Sequence, residues 1–254
     1  MSDENKTFAF LMCAHKLDAF LPLAIDSVLK QTYIDFKFYI IANNCDDDLW
    51  SYLSGLKDHR IEIYRTKIGQ LAFNLNYGIN LISADYVIRF DSDDICLPDR
   101  LSNTANALKK FKYPDVLSGS AQWIDVNGCV LKEQAVSMES DEIKKRLWWS
   151  NPVCHPATAI SLNTLVSHGG YSWGFGSEDY DLWLRLARST KTRFVIVPEI
   201  YIQYRISGNQ SKGGILPYSE SVGLMFRELI FTKKIRFFLG GLLWIIKALL
   251  KGKR

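Results

Sequence analysis

Three carboxylates, Asp91, Asp93 and Asp94, fall within four residues and directly follow the apolar run at 86–90. Like charges packed that closely repel one another, so the segment needs counter-charge or full solvation. A divalent cation is the economical counter-charge, with carboxylate oxygens as its ligands. An acidic N-cap for a helix beginning near Pro98, supplied by Asp94 or Asp99, would account for one acid but not three. A calcium EF-hand is excluded, because counting from Asp91 puts Cys96 where that loop requires glycine and Ser102 where it requires its bidentate glutamate. Two other segments are rich in polar groups. Asn43-Asn44-Cys45-Asp46-Asp47-Asp48 suits hydrogen bonding to a heterocycle or ribose, and equally an Asx-turn capping a helix at Leu49. Gly174-Phe175-Gly176-Ser177-Glu178-Asp179-Tyr180-Asp181 places an acidic helix start behind a glycine-rich loop. The helix dipole accounts for acids there, and a carboxylate facing a pocket could equally serve as a general base.

The elements that must position these segments follow from hydrophobic periodicity. Short apolar runs at 8–13, 36–42, 61–65 and 86–90 read as strands, and 19–30 and 71–82 carry their apolar residues on one helical face. Strand–helix alternation predicts a mainly parallel sheet covered by helices, with its ligand beyond the carboxyl ends of the strands. The loops opening at Ala14, Asn43 and Asp91 are therefore the ones to examine. After Asp94 the pattern changes to a helix at 101–111, then strands at 116–124 and 129–133 around the hairpin dipeptide Asn127-Gly128. A helix at 141–149, a loop at 151–156, a helix at 178–187 and two short strands at 193–197 and 201–205 complete a mixed sheet.

Composition narrows the class. A chain of 254 residues with 48% hydrophobic content can bury a sizeable core. Five cysteines, odd in number and without a Cys-x-x-Cys pair, predict a reducing, cytosolic setting. Neither a signal peptide nor a membrane span is expected at the N-terminus. Of the 31 Lys and Arg residues, seven lie in the last 22 positions, where there is no acid; the remaining 24 face 27 Asp and Glu, so the body is slightly acidic at −3. No basic face for nucleic acid is visible.

Three stretches in order resemble inverting family-2 glycosyltransferases of the GT-A fold: Ala19-Phe20-Leu21 through Gln31-Thr32-Tyr33, Ile88-Arg89-Phe90-Asp91-Ser92-Asp93-Asp94 through Arg100-Leu101, and Glu178-Asp179-Tyr180-Asp181-Leu182-Trp183. The likeness runs from about Phe8 to Ser211 and is nearest to bacterial galactosyl- and glucosyltransferases that build surface polysaccharides. It implies a Rossmann-like GT-A mixed sheet flanked by helices. It also implies transfer of a hexose from a nucleoside-diphosphate sugar, UDP-linked, to a saccharide or polyprenyl-linked acceptor.

Position by position, the resemblance makes Asp93 the ligand of a divalent metal, Mn2+ or Mg2+, and Asp179 the base for the acceptor hydroxyl. It places Ala14, Asp18, Asn44, Asp91 and Ser92 at the donor, and puts His155, Trp173 and Glu178 on the acceptor side. Trp148, Trp149 and Trp183 are further stacking or core candidates. Two departures stand out: Asn43-Asn44 replaces the family's usual Asp-Asp, and the segment around Ser207 lacks its histidine. A nucleotidyltransferase is the rival enzyme, but no glycine-rich basic phosphate loop follows the first strand. A nucleotide-sugar-binding homologue without turnover is the non-enzymatic rival.

The division expected is a catalytic domain over 1–226 and a basic amphipathic tail over 227–254. The apolar stretch at 237–250 would span only about 21 Å as a helix, short of the ~30 Å hydrocarbon core of a bilayer. On a helical wheel Lys233, Arg236, Gly240, Lys247 and Lys251 lie opposite Phe238, Leu242, Ile245 and Leu249. That pattern predicts a helix lying on an anionic membrane surface, with the enzyme peripheral on the inner face of the cytoplasmic membrane. The competing expectation is a helix packed on the domain or on a second subunit.

Overall fold

The structure, a computed structural model, describes residues 6–172, 174–206 and 215–251. Strands β1 (Phe8–Ala14), β2 (Lys37–Asn43), β3 (Ile61–Thr66) and β4 (Tyr86–Arg89) run parallel in the spatial order β3-β2-β1-β4. β1 and β4 are buried along their whole length, which is why they read as continuous apolar runs. Alternate residues supply two core layers. Phe10, Phe38, Ile40 and Ile88 pack on one face with α1 (Leu21–Leu29) and α2 (Asp47–Ser54), and Leu11, Ile41 and Val87 on the other with α3 (Leu71–Leu81).

The second half completes a mixed sheet. It contains β5 (Ile95–Cys96), α4 (Arg100–Lys110), β6 (Val116–Ile124), β7 (Val130–Gln134), β8 (Met138–Glu139), α5 (Ser140–Arg146), β9 (Thr158–Ser161), α6 (Leu162–Ser167), α7 (Glu178–Ala187) and β10 (Phe194–Arg205). β9 is antiparallel to both β4 and β6, β10 is parallel to β6, and β5 closes the path on the far side of β10. The Asn127-Gly128 turn forms as expected, with Asp125 accepting from the backbone N–H of Asn127 and Cys129 and Gly128 at φ 84°. One expectation is corrected: 193–197 and 201–205 belong to a single strand, β10, whose register with β6 shifts between Ile196 and Ile202. Pro198 cannot donate to the ladder, and the strand absorbs it as a bulge without ending. The five cysteines are free thiols; Cys13 and Cys96 are buried and Cys129 is exposed on the β6–β7 hairpin.

Two long helices, α8 (Leu216–Thr232) and α9 (Ile235–Lys251), finish the described chain. The expected junction at 226 falls inside α8, which is uninterrupted there. Buried Glu228 accepts from Arg188 and Arg227, and Arg227 also pairs with Asp181, so α8 is bolted to α7 by charge-assisted bonds. α9 folds back after Lys233, a residue in the left-handed region, and buries Phe237, Gly240, Trp244 and Ala248. Gly240 lies against the Trp148 carbonyl, where no side chain would fit, and Lys247 Nζ donates to the Trp149 carbonyl at 2.6 Å. The side of α9 carrying Gly240 and Lys247 therefore faces the body, while Phe238, Leu242, Ile245 and Leu249 are exposed. Among the described residues, no helix is long and apolar enough to cross a membrane.

Docking of α9 is tested at its closest approach. A methyl group at Gly240 would meet a backbone carbonyl, so Gly240→Ala should cost about 1–3 kcal/mol. Gly223→Ala in α8, where the added atom meets nothing within 4 Å, should be neutral or stabilising by up to about 1 kcal/mol. Thermal melts of the two variants decide: a Gly240→Ala protein as stable as Gly223→Ala would mean that α9 is not seated against Trp148.

Candidate active site

The carboxyl ends of β1, β2 and β4 open toward one rim of the sheet, and the loops that follow carry the polar residues. Ala14 is the last, fully buried residue of β1. Asp18 Oδ1 accepts from the backbone N–H of Phe20 at 3.0 Å and Leu21 at 3.2 Å, which fixes the start of α1. Its other oxygen is 3.3 Å from Lys16 Nζ. In the second loop the cap of α2 is Asp46, whose side chain accepts from Leu49 N. Asn44 has φ 47°, donates its backbone N–H to Thr66 O, and is exposed at the rim. Asparagine tolerates that left-handed conformation better than most residues.

The acids at 91–94 are not equivalent. Arg89, the last residue of β4, is only 2% exposed; its guanidinium bonds to the Asp91 carboxylate and the Phe90 carbonyl. Arg205, at the end of β10, donates its backbone N–H to Asp94 Oδ1 and its Nε to the Asp93 carbonyl, both at 2.9 Å, and stacks 4.3 Å over Phe20. Asp94 is thus a buried brace between β10 and the loop. Asp93 keeps its carboxyl partly open, and burial, then the charges of Asp91 and Asp18, push it up to about 6 against the pull of Arg205. The cluster is therefore less bare than the spacing of its acids suggests, because two arginines supply counter-charge. Both are visible in the sequence, Arg89 as a lone cation inside an apolar strand, but nothing local marks their partners.

Among the described residues, no three His, Cys, Asp or Glu side chains form a ready-made metal site. A hard divalent cation taking one or two carboxylates and completing its shell with substrate phosphates and water needs no such set. Asp93, whose carboxyl is raised by burial and then by the neighbouring acids so that a cation would relieve it, and Asp91 beside it have the chemistry for that mode.

The first turn of α7 separates two neighbouring carboxylates. Glu178 is buried and is pushed up to about 7 by desolvation and then by Asp179, with Arg89 opposing and Asp91 adding to the shift. It therefore belongs to the electrostatic neighbourhood of the 91–94 loop. Asp179 accepts from Asn151 Nδ2 at 2.9 Å and from Tyr180 N at 2.7 Å, and it lines a cavity of about 730 Å³. The cavity lies between the 150–153 loop, the start of α7, and helices α8 and α9. The loop before α7 is held by Glu220 of α8, which accepts from Phe175 N at 2.8 Å and Ser177 Oγ at 2.6 Å. Gly174 has φ 144°, and a Cβ there would sit 2.9 Å from Glu178 N, so glycine lets the loop close on the helix.

Trp173 and the segment 207–214 lie outside the described residues. His155 is buried, with Nε2 2.7 Å from the Tyr171 hydroxyl and its ring centroid 6.0 Å from that of Trp183. It is not among the residues lining the cavity of Asp179. Trp183 is core, and Trp148 and Trp149 form the ledge on which α9 rests. Sequence reasoning missed Asn151, which holds Asp179, and the α9 residues Trp244, Lys247 and Lys251 that line the cavity. Their sequence distance from any motif left no local signal.

A parallel half-sheet with a polar rim, joined through an antiparallel strand to a second half carrying an acidic helix start, is the GT-A glycosyltransferase architecture. The chain superposes on Staphylococcus aureus TarS (residues 1–349, in complex with UDP-GlcNAc) with a TM-score of 0.70, covering 88% of this chain and 66% of that one at 12% identity. A likeness at that identity speaks for the fold alone. Residues 10–166 match the family described as Glycosyl transferase family 2, and the chain belongs to it. It is 33% identical over 252 residues, 95% of this chain and 96% of the relative, to the Escherichia coli protein named O-antigen biosynthesis glycosyltransferase WbnJ. It is 30% identical over 73% of its length, and 69% of the relative, to the E. coli UDP-Gal:alpha-D-GlcNAc-diphosphoundecaprenol beta-1,3-galactosyltransferase.

The Glu178 environment has a thermodynamic signature. Its folded value of about 7 lies above the ordinary 4.5, so its favourable contribution is complete below pH 4.5 and is lost as pH rises through 7. That loss is on the order of 3 kcal/mol at most. Glu178→Gln stays neutral, so it should melt above wild type at pH 8 and near it at pH 4.5. Melting curves with the same pH dependence for both proteins would place Glu178 in solvent.

Proposed function

We propose that the chain is an inverting, metal-dependent hexosyltransferase that moves a sugar from a UDP-linked donor to a lipid-linked saccharide in surface-polysaccharide biosynthesis. The observation that carries the reading is the division of labour between its carboxylates. Asp93, with Asp91 and Ser92 in the same loop, follows the end of β4, and Asp179 lines a cavity large enough for an acceptor. Two relatives support donor and acceptor class by name: the UDP-Gal enzyme above and a UDP-Glc:alpha-D-GlcNAc-diphosphoundecaprenol beta-1,3-glucosyltransferase, WfaP, of E. coli, 24% identical over 78% of this chain.

In this reading a divalent cation, Mn2+ or Mg2+, held by Asp93 supplies positive charge to the departing diphosphate. Asp179 takes the proton of the acceptor hydroxyl as its oxygen bonds to the anomeric carbon. The bond from that carbon to the diphosphate breaks, and its electron pair leaves with the phosphate oxygen. A single displacement from the far face inverts the centre. Asn151 orients Asp179 through its amide. Asn44, exposed at the rim with both a donor and an acceptor on its side chain, meets the uracil, and Ala14 and Asp18 border the nucleotide. The exposed apolar face of α8 and α9, including Ile230, Phe231, Ile235, Leu239 and Leu249, lies on an anionic membrane at its cytoplasmic side.

UDP at a hundred times its dissociation constant, with Mn2+, should stabilise the protein by about 2.7 kcal/mol in a thermal-shift assay, and Asp93→Ala should lose the Mn2+-dependent part. A guanosine or thymidine diphosphate that binds more tightly would overturn the UDP assignment, and full turnover in excess chelator would overturn the metal. Asp179→Asn should lower kcat roughly a hundredfold to ten-thousandfold while UDP affinity is retained. If Glu178→Gln is the inactive variant and Asp179→Asn turns over normally, the base is the other carboxylate. Vesicle binding should rise with anionic lipid and weaken with salt; indifference to both would remove the membrane from the reading.

A further inference from the structure

The cavity of Asp179 has a wall that no motif of the family-like segments provides. Its far side is the last part of α9, with Trp244, Lys247, Leu250 and Lys251, together with Tyr218 of α8. Lys247 Nζ stands 4.2 Å over the Trp244 ring and donates to the Trp149 carbonyl, and Lys251 Nζ is 6.0 Å from the Tyr218 ring centroid. Asp179 is the one acid among the described lining residues, so the same cavity presents one carboxylate and two ammonium groups. Beside the lysines Leu250 is 64% exposed and continues into the apolar outer face of α9. Carboxylate, cation pair and apolar lip thus line one and the same cavity.

We propose that Lys247 and Lys251 bind the diphosphate that joins the acceptor sugar to its lipid, making α9 part of the acceptor site. The inference rests on the lipid-linked acceptor proposed above and adds where that acceptor's anion is held. The set of groups matches such a molecule: a sugar hydroxyl for Asp179, two phosphates for the lysines, an alkyl chain for Leu250 and the face beyond. Burial already holds the Lys247 ammonium below its ordinary lysine range, and an arriving anion offsets that cost. The aromatic rings under both ammonium groups hold them in place without neutralising them.

The test uses the full chain saturated with UDP and Mg2+, so that the donor site is filled, and titrates decyl diphosphate or neutral decyl maltoside by calorimetry. Decyl diphosphate should bind at least tenfold more tightly than decyl maltoside, and Lys251→Met and Lys247→Met should each remove most of that preference while UDP affinity stays as in wild type. Lys251→Arg should retain it. Lys251, at the last turn of α9, keeps the test decisive if Lys247→Met loosens the contact with Trp149. Equal binding of the two amphiphiles to wild type, or an undiminished preference in both Met variants, overturns the inference. Sugar transfer from UDP-hexose on the same preparations separates the two readings: turnover without diphosphate preference removes only the lysine site, and absence of turnover with every donor and acceptor removes the function on which it rests.

Discussion

The site depends on a buried cation at the end of the central strand. Arg89 is the last residue of the buried strand β4, and its guanidinium is spent on the Asp91 carboxylate and the Phe90 carbonyl. A buried arginine without an acid would be costly, and a group of acids without the arginine would repel. Each makes the other tolerable, while burial and then the charge of neighbouring acids push the carboxyls of Asp93 and Glu178 upward. Asp94 and Arg205 extend the same arrangement to β10, so the two halves of the mixed sheet meet through charged groups and not through apolar packing alone.

The C-terminal helices add the second constraint. α8 is fastened by Glu228 to Arg188 and Arg227 and holds the loop before α7 through Glu220, so the backbone position of Asp179 depends on a helix some forty residues later in the chain. α9 then rests on the Trp148–Trp149 ledge and closes one side of the cavity. A boundary at residue 226 would divide α8 and separate the α9 residues from the Asp179 carboxylate with which they line one cavity.

Much of this was legible in the sequence where the signal is local. Strands buried on both faces announce themselves as apolar runs, the Asn-Gly dipeptide marks its hairpin, and the acids after β4 and at the start of α7 lie beside the elements that present them. Long-range pairing was not legible. Nothing near Asp93 indicates that Arg205 reaches its carbonyl, nothing near Asp179 that Asn151 holds it, and His155 shows its Tyr171 partner only once α3, β9 and α7 are packed. The helical wheel of α9 could not say which side would face the body; the small Gly240, against the Trp148 carbonyl, and Trp244, packed on Tyr180 and Tyr218, decided that.

The burial of Cys13 also bears on how the protein meets oxidants and electrophiles. Its thiol, at the carboxyl end of β1 near Arg89 and Asp91, is pushed up to about 12 by desolvation, and Cys96, next to the site loop, to about 11. Only a thiolate attacks a peroxide or a maleimide at a useful rate. The buried thiols of Cys13 and Cys96 are therefore poor nucleophiles, while Cys129 stands exposed on the β6–β7 turn. A dye or spin label offered to the folded chain has its most accessible thiol on that hairpin, where it can report on the molecule without entering the site.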